Sequence, residues 1–149
     1  MAGSVKETMA AESLIQKRMR EGVHLAEQFR EKEKIPFSEL KPSLIPELPG
    51  VYAIGRCETD EVLYVGRTKN LRRRIYTNHL HGPEANARLK KYLVVDEKEP
   101  LVKDLKDAKE YIRKHCYCQF MVEPDMITRG RAEGLLGYLL CVRYMYEEH

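Results

Sequence analysis

Tryptophan, phenylalanine and cysteine are scarce in this sequence. It contains no tryptophan, only three phenylalanines and only four cysteines among 149 residues. A chain of this length predicts one domain of ~100–200 residues, which folds without disulfides, so we expect reduced thiols. No apolar run approaches the ~20 residues that cross a bilayer, and residues 1–30 lack the apolar stretch of a secretory signal. The sequence therefore predicts a cytoplasmic protein without a membrane segment.

The chain also lacks a large excess of charge, since 26 basic and 23 acidic side chains leave +3. The distribution is nevertheless uneven, because residues 64–91 carry a net charge of +7. Their basic residues are Arg67, Lys69, Arg72, Arg73, Arg74, Arg88, Lys90 and Lys91. A basic block in an otherwise slightly acidic chain indicates a polyanionic partner, most often nucleic acid. A solvated helix face is the simpler alternative.

Hydrophobic periodicity divides the chain into three segments. Residues 1–34 predict a helix over Val5–Lys34 with a narrow apolar stripe, which would pack on the domain, pair in a homodimer, or form an arm. Prolines interrupt residues 35–47, a connector with enough apolar residues to pack along the core. Residues 48–149 predict an α+β domain with a small three-stranded antiparallel sheet flanked by helices.

Within residues 48–149, turn residues and alternation set the order of elements. Strands are predicted at Val51–Arg56, Val62–Gly66 and Cys116–Val122, with a polar turn between the first two. A helix capped by Thr68 or Asn70 follows the second strand and ends at Gly82. A helical insert at about 83–115 contains patches at Glu84–Leu93 and Leu101–His115, and a last helix runs from Ile127 to about Tyr146.

Four residues in this pattern carry chemistry. Tyr52 ends the tripeptide Gly-Val-Tyr on the first strand, and Tyr64 begins Tyr-Val-Gly on the second. Arg74 follows Tyr64 by ten residues on the basic helix, and Glu133 lies on the last helix. The chain thereby resembles the GIY-YIG nuclease superfamily over about residues 48–145. Residues 64–74 look especially like the incision domain of bacterial nucleotide-excision repair, and we expect a standalone member of the superfamily.

The resemblance implies a DNA endonuclease that hydrolyses phosphodiester bonds with one divalent ion, Mg²⁺ or Mn²⁺. Glu133 would be the only protein ligand of the metal. Tyr52 would act as the base for the attacking water, with Tyr64 positioning it and Arg74 offsetting phosphate charge. Because a phenol has a pKa of ~10, Arg67 or Arg74 is expected to lower that of Tyr52.

Strand register provides a test of the tyrosine pair. We expect Tyr52 directly opposite Tyr64, which requires an odd-numbered turn; a turn of four residues, Cys57–Asp60, would put them on opposite faces. Packing alone is the common alternative role of a strand tyrosine.

Helical spacing places the cations around Arg74. Leu71 and Ile75 should face the core, leaving Arg74 at its edge, where a buried ion pair is the alternative to phosphate binding. We expect backbone contacts, without base readout, from Arg67, Lys69, Arg72, Arg73, Lys90 and Lys91. Glycines at 130, 134 and 137 suggest a close approach near Glu133. The alternative is tight helix packing with an ordinary pair between Arg129 and Glu133.

Two departures from the family pattern motivate an alternative function. Many members carry a histidine or tyrosine four residues after the arginine, but this position is Asn78, and His79 is the candidate substitute. No asparagine follows Glu133, where members often have one. The alternative is therefore a nucleic-acid-binding module with weak or no turnover. Since no second domain is recognisable, a protein partner is expected to supply specificity.

A structural zinc site is a third interpretation. It would use His79 and His81 with Cys116 and Cys118, or with His115. One-residue gaps are not the usual spacing of zinc ligands, and cysteines two apart on a strand are more simply core residues.

Overall fold

The computed structural model describes residues 11–81 and 88–145. Its helices are α1 (Leu14–Arg30), α2 (Arg73–His81), α3 (Arg88–Val95), α4 (Leu105–His115) and α5 (Met126–Leu139). Its strands are β1 (Ile35–Pro36), β2 (Gly50–Arg56), β3 (Val62–Thr68) and β4 (Cys116–Val122). Two short 3₁₀ turns, Phe37–Glu39 and Pro42–Leu44, connect β1 to β2. Helix α2 is wound as a π-helix.

The strands form one antiparallel sheet in the order β1-β4-β2-β3. The predicted α+β class, with helices flanking an antiparallel sheet, is confirmed. The predicted number of three strands is wrong, because the sheet has four. The added strand β1 has two residues, with Ile35 paired to Cys118 and Pro36 to Tyr117. A strand of this length has no periodicity to detect, and proline is tolerated only because β1 lies at the edge.

The central strand β2 is buried on both faces, and its alternating side chains contribute to two apolar clusters. On one face Tyr52 and Ile54 pack with α2, α3 and α4; on the other Val51 and Ala53 pack with α1 and α5. Side chains of the connector, including Phe37 and Ile45, are buried in the first cluster. Burying a side chain such as Ile54 contributes about 1.5–3 kcal/mol to the free energy of unfolding.

The division of the chain into residues 1–34, 35–47 and 48–149 stays a prediction.

Helix α1 packs on the domain through its last turns. Ala26 and Phe29 are buried, and the buried Gln119 of β4 holds the C-terminal end. The amide nitrogen of Gln119 donates to the carbonyl oxygens of Arg30 at 3.1 Å and Lys32 at 2.7 Å. The helix begins at Leu14, with Ser13 as its N-cap; residues 1–10, part of the predicted helix, lie outside the described residues. The homodimer predicted through this helix stays a prediction.

The C-terminal helix is shorter than predicted. It ends at Leu139 rather than near Tyr146, because Cys141 adopts a left-handed conformation with φ 51°. The chain then turns back along β3, where the amides of Arg143 and Tyr144 donate to the carbonyls of Val62 and Leu63. Helix α4 likewise starts later than predicted, at Leu105, since Asp104 caps it. None of the described helices is long and apolar enough to span a membrane.

Candidate active site

Tyr52 and Tyr64 lie on the same face of the sheet, with their ring centroids 6.2 Å apart. The prediction that they lie directly opposite each other is wrong, because Tyr52 pairs with Gly66 and Ile54 pairs with Tyr64. The turn has the four residues Cys57–Asp60 that were expected to separate the tyrosines; the Arg56 amide donates to the Glu61 carbonyl at 2.9 Å. A β-bulge corrects the register, because it shifts the pairing between Ile54 and Gly55 by one residue.

The glycine of the Tyr-Val-Gly motif makes room for Tyr52. A Cβ added to Gly66 would lie 2.6 Å from the Tyr52 hydroxyl oxygen and 2.7 Å from the adjacent ring carbon. The phenol of Tyr52 thus crosses the neighbouring strand over a residue without a side chain. Only glycine at position 66 permits this placement of the hydroxyl.

His79 is hydrogen-bonded to Tyr52, with 2.8 Å between its Nε2 and the Tyr52 hydroxyl oxygen. Its ring also lies 5.7 Å from that of Tyr64. In an α-helix residue 78 would sit one turn above Arg74, whereas the i→i+5 bonding of a π-helix brings residue 79 there. The winding of α2 therefore places His79 in the site. The side chain of Asn78, the residue at the family's position, lies outside the described part of the structure.

Burial controls the protonation of this cluster. It raises the pKa of Tyr52 well above the ordinary value; Tyr64 and Glu133 raise it further, and Arg74 only partly opposes the rise. The pKa of Tyr64 is also raised, mainly by burial. The predicted lowering of the Tyr52 pKa is therefore wrong, because desolvation outweighs Arg74. Burial, with the charges of Arg74 and Lys90, lowers the pKa of His79 to about 3. A neutral phenol thus contacts a neutral imidazole.

Glu133 lies on α5, whose N-cap Asp125 accepts a hydrogen bond from the Thr128 amide at 2.9 Å. Its side chain is half-buried, and its charge raises the pKa of both Tyr52 and Tyr64. Mg²⁺ prefers oxygen ligands and keeps several waters, so a site with one carboxylate, water and substrate phosphate suits it. Glu133 fits such a site. Within the described residues no group of three or more His, Cys, Asp or Glu forms a metal-binding cluster.

Cys116 and Cys118 belong to the core rather than to a surface site. Both are fully buried, and burial raises the pKa of each thiol to about 12. Since zinc binds the thiolate, this environment does not favour the zinc interpretation. The side chain of His81 is outside the described residues.

A basic cleft of about 1040 Å³ opens between the β3–α2 connection and α5. Its lining includes the cations Arg67, Lys69, Arg73, Arg74, Arg129 and Arg131. The first four are functional candidates by sequence, whereas the two on α5 were not predicted. For Arg129 only a possible pair with Glu133 was expected. The available signal was the Arg-Gly-Arg sequence at 129–131, which ends two positions before the candidate metal ligand Glu133.

A family model described as the GIY-YIG catalytic domain matches residues 48–107. These residues belong to the GIY-YIG family. Membership implies a nuclease-type function and a nucleic-acid substrate. The match contains Tyr52, Tyr64, Arg74 and His79, whereas Glu133 comes later in the chain. A comparison with curated proteins gives no match.

The remaining predicted contacts of the GIY-YIG domain lie outside the lining of the cleft. Arg72 donates to the Ile45 carbonyl at 2.8 Å and lies 3.7 Å from Glu47, which ties the start of the helical segment to the connector. Lys90 is fully buried, which argues against a contact with a nucleic-acid backbone. Lys91 is exposed on α3. These roles stay predictions.

Two arginines that line the cleft, Arg129 and Arg67, have defined contacts at the start of α5. Arg129 donates to the carbonyls of Glu123 at 3.1 Å and Pro124 at 2.8 Å, so the expected alternative of an ordinary pair with Glu133 does not describe it. The guanidinium of Arg67 lies against Gly130, where a Cβ would overlap it. Gly130 therefore provides the close approach that the glycines suggested, and it is Arg67 that approaches.

Proposed function

We propose that this protein is a DNA endonuclease that hydrolyses phosphodiester bonds with one divalent metal ion. The observation that carries the proposal is the position of Arg74. It lines the basic cleft, and its charge acts on the pKa values of Tyr52, Tyr64 and His79. A phosphate bound by Arg74 from the cleft would thus be adjacent to the tyrosine–histidine cluster, where its charge is offset as the transition state forms.

Glu133 is the proposed protein ligand of Mg²⁺ or Mn²⁺. When bound, such an ion supplies Lewis-acid stabilisation of the leaving oxygen. The described lining of the cleft has six cations and no carboxylate, so the cleft is strongly positive, which suits a polyanionic substrate. Four cations of the cleft are proposed to contact the phosphate backbone of the DNA without reading its bases: Arg67, Lys69, Arg73 and Arg131.

Tyr52 and His79 are proposed to accept the proton of the attacking water together. Tyr52 is a neutral phenol, so it accepts that proton only as its own hydrogen passes to His79 Nε2, 2.8 Å away. The resulting hydroxide attacks phosphorus, and the bond to the leaving oxygen breaks. Burial is the main cause of the low His79 pKa, and the charge of Arg74 lowers it further. A phosphate next to Arg74 offsets that second contribution, so substrate binding makes His79 a better proton acceptor. Tyr64 positions the water.

Nicking of supercoiled plasmid tests the proposal. We expect nicked circles with Mg²⁺ or Mn²⁺ and intact plasmid in EDTA, because the metal stabilises the leaving oxygen. DNA binding is measured in parallel in EDTA at increasing salt. Salt-sensitive binding without cleavage by either metal would instead support the non-catalytic binding module, and absence of both would overturn the proposal.

Gly130→Ala is expected to weaken DNA binding about tenfold, the cost of displacing one charged hydrogen-bonding group from its phosphate. The added methyl overlaps the Arg67 guanidinium, which must shift from its present position in the cleft and is expected to lose its phosphate contact. The measurement is the dissociation constant for a short DNA duplex in EDTA.

Gly134→Ala is the matched control, since a Cβ at Gly134 meets nothing within 4 Å. Both substitutions favour the helix by about 1 kcal/mol. Gly134→Ala should therefore raise the stability and leave affinity unchanged. Equal affinity of both variants and wild type would contradict the role of Arg67.

Two partners are proposed beyond the DNA itself. A protein partner would supply sequence or structure specificity. A homodimer through α1 would let a single-site nuclease cut both strands. Support for the second comes from the apolar side chains that α1 leaves exposed, which are Leu14, Ile15, Met19 and Val23.

A further inference from the structure

Helix α3, in the predicted helical insert, is fixed against the core beside the active site. Leu89 and Leu93 on one side of α3 are fully buried in the cluster that contains Tyr52. Because these two residues anchor the helix, the directions of its other side chains are set as well. The insert is therefore part of the active-site surroundings rather than a detached surface feature.

Tyr92 of α3 is in contact with a candidate catalytic residue. Its ring centroid lies 6.5 Å from that of Tyr64, and on its other side it stacks on Tyr144 at 5.7 Å. The Tyr92 hydroxyl is buried and has no hydrogen-bond partner in the described part of the chain. Tyr92 thus forms part of the wall that holds the ring of Tyr64.

Arg88 lies one helical turn before Tyr92 on the same face of α3, since residues four apart are neighbours on a helix. Its side chain is exposed and forms no ion pair with a carboxylate among residues 11–81 and 88–145. After burial, the charge of Arg88 has the largest effect on the pKa of Tyr64, which it lowers. Arg88 is not among the residues that line the basic cleft.

We propose that α3 provides a second phosphate-binding position, in which the exposed guanidinium of Arg88 binds a backbone phosphate of the nucleic acid beside Tyr64. The inference rests on the proposed function. The cleft and Arg88 then bind different phosphates of one substrate. The phosphate in the cleft lies next to Arg74, and the phosphate on Arg88 lies next to Tyr64. A guanidinium suits this role because it donates two parallel hydrogen bonds to phosphate oxygens.

Salt-dependent DNA binding tests this position without requiring turnover. The dissociation constant of a short DNA duplex is measured in EDTA over a range of salt concentrations for wild type, Arg88→Ala and Arg88→Lys. Removing one phosphate contact is expected to reduce the slope of log affinity against log salt by about 0.9. Arg88→Lys keeps the charge and should keep the slope. Arg113→Ala, which removes another exposed arginine on α4, is the matched control and should also keep it.

The outcomes separate the two proposals. A wild-type slope in Arg88→Ala, with salt-dependent binding intact, would overturn the role of α3 and leave the nuclease proposal standing. An equal loss of slope in Arg113→Ala would also overturn it, because the effect would then be one of net charge. Absence of DNA binding in the wild type would overturn both proposals.

Discussion

Replacing Glu133 with glutamine is expected to lower the metal-dependent rate of plasmid nicking about a thousandfold, with the protein still folded. Glutamine preserves the size of the side chain and removes only the negative charge. In the proposed site the Glu133 carboxylate is the single protein ligand of the metal. Glutamine lacks the negative charge that binds a divalent cation, so the variant should bind the metal much more weakly. Losing about 4 kcal/mol of transition-state stabilisation corresponds to this factor.

A second measurement separates metal binding from substrate binding. Affinity for DNA in EDTA should be unchanged or higher in Glu133→Gln, since the variant loses a negative charge on α5, the helix that forms one side of the basic cleft. Glu27→Gln, at an exposed position of α1, is the matched control and should cleave as the wild type does. Nicking by Glu133→Gln within tenfold of the wild-type rate would contradict the assignment of the metal ligand.

The identity of the candidate residues was predictable because they belong to local motifs. Tyr52, Tyr64 and Arg74 are linked by short spacings within one hairpin and the following helix, which is the range over which sequence patterns are informative. Strand β4 was predicted with its observed bounds, Cys116–Val122, because its aromatic and β-favouring residues alternate. The two-residue strand β1 has no comparable pattern.

The geometry between these residues was not predictable, because it depends on two local irregularities. The bulge near Ile54 changes the register by one residue, and a shift of one residue moves a side chain to the other face. The π-helical winding of α2 similarly replaces Asn78 by His79 above Arg74. Both features insert one residue into a regular element, and tertiary packing rather than local propensity determines where that residue goes.

Burial was the second quantity that the sequence did not supply. The sequence predicted a lower Tyr52 pKa because of a nearby arginine, and Arg74 does act in that direction. Desolvation outweighs Arg74 and raises the pKa, and its extent emerges only when the helices cover the sheet. The same holds for Lys90, which belongs to a basic run and yet is fully buried. Arg129 and Arg131 join the cleft only because α5 packs beside β3.

Tyr52→Phe is expected to lower the turnover number about 100-fold or more with little change in KM, the usual loss when a general base is removed. Tyr52 does not line the cleft, so the substrate should bind as before. Tyr117→Phe is the matched control, because Tyr117 is also a nearly buried strand tyrosine whose ring crosses a glycine, Gly55. It should retain turnover. Steady-state nicking rates over a range of plasmid concentration measure both quantities.

His79→Gln tests whether the two residues act as one unit. Glutamine can hydrogen-bond to the Tyr52 hydroxyl but cannot accept its proton, so we expect a loss similar to that of Tyr52→Phe. The double variant should lose no more than either single variant, since removing either member already abolishes the transfer. Multiplied losses in the double variant would contradict a shared proton path.

Protein stability provides a reading of His79 that does not involve catalysis. Its folded-state pKa is about 3, below the ordinary 6.5, so the unfolded chain binds the proton more readily. The contribution of neutral His79 to the free energy of unfolding is therefore fully present above about pH 6.5, and it is lost as the pH drops from 6.5 toward 3. By pH 5 this costs about 2 kcal/mol, a loss that His79→Gln should not suffer. The charges facing His79 are Arg74 and Lys90, and neither titrates in this range. Urea unfolding at pH 7 and pH 5 measures the difference, and equal pH dependence of wild type and variant would show that His79 is not held neutral, removing the basis for its role as proton acceptor.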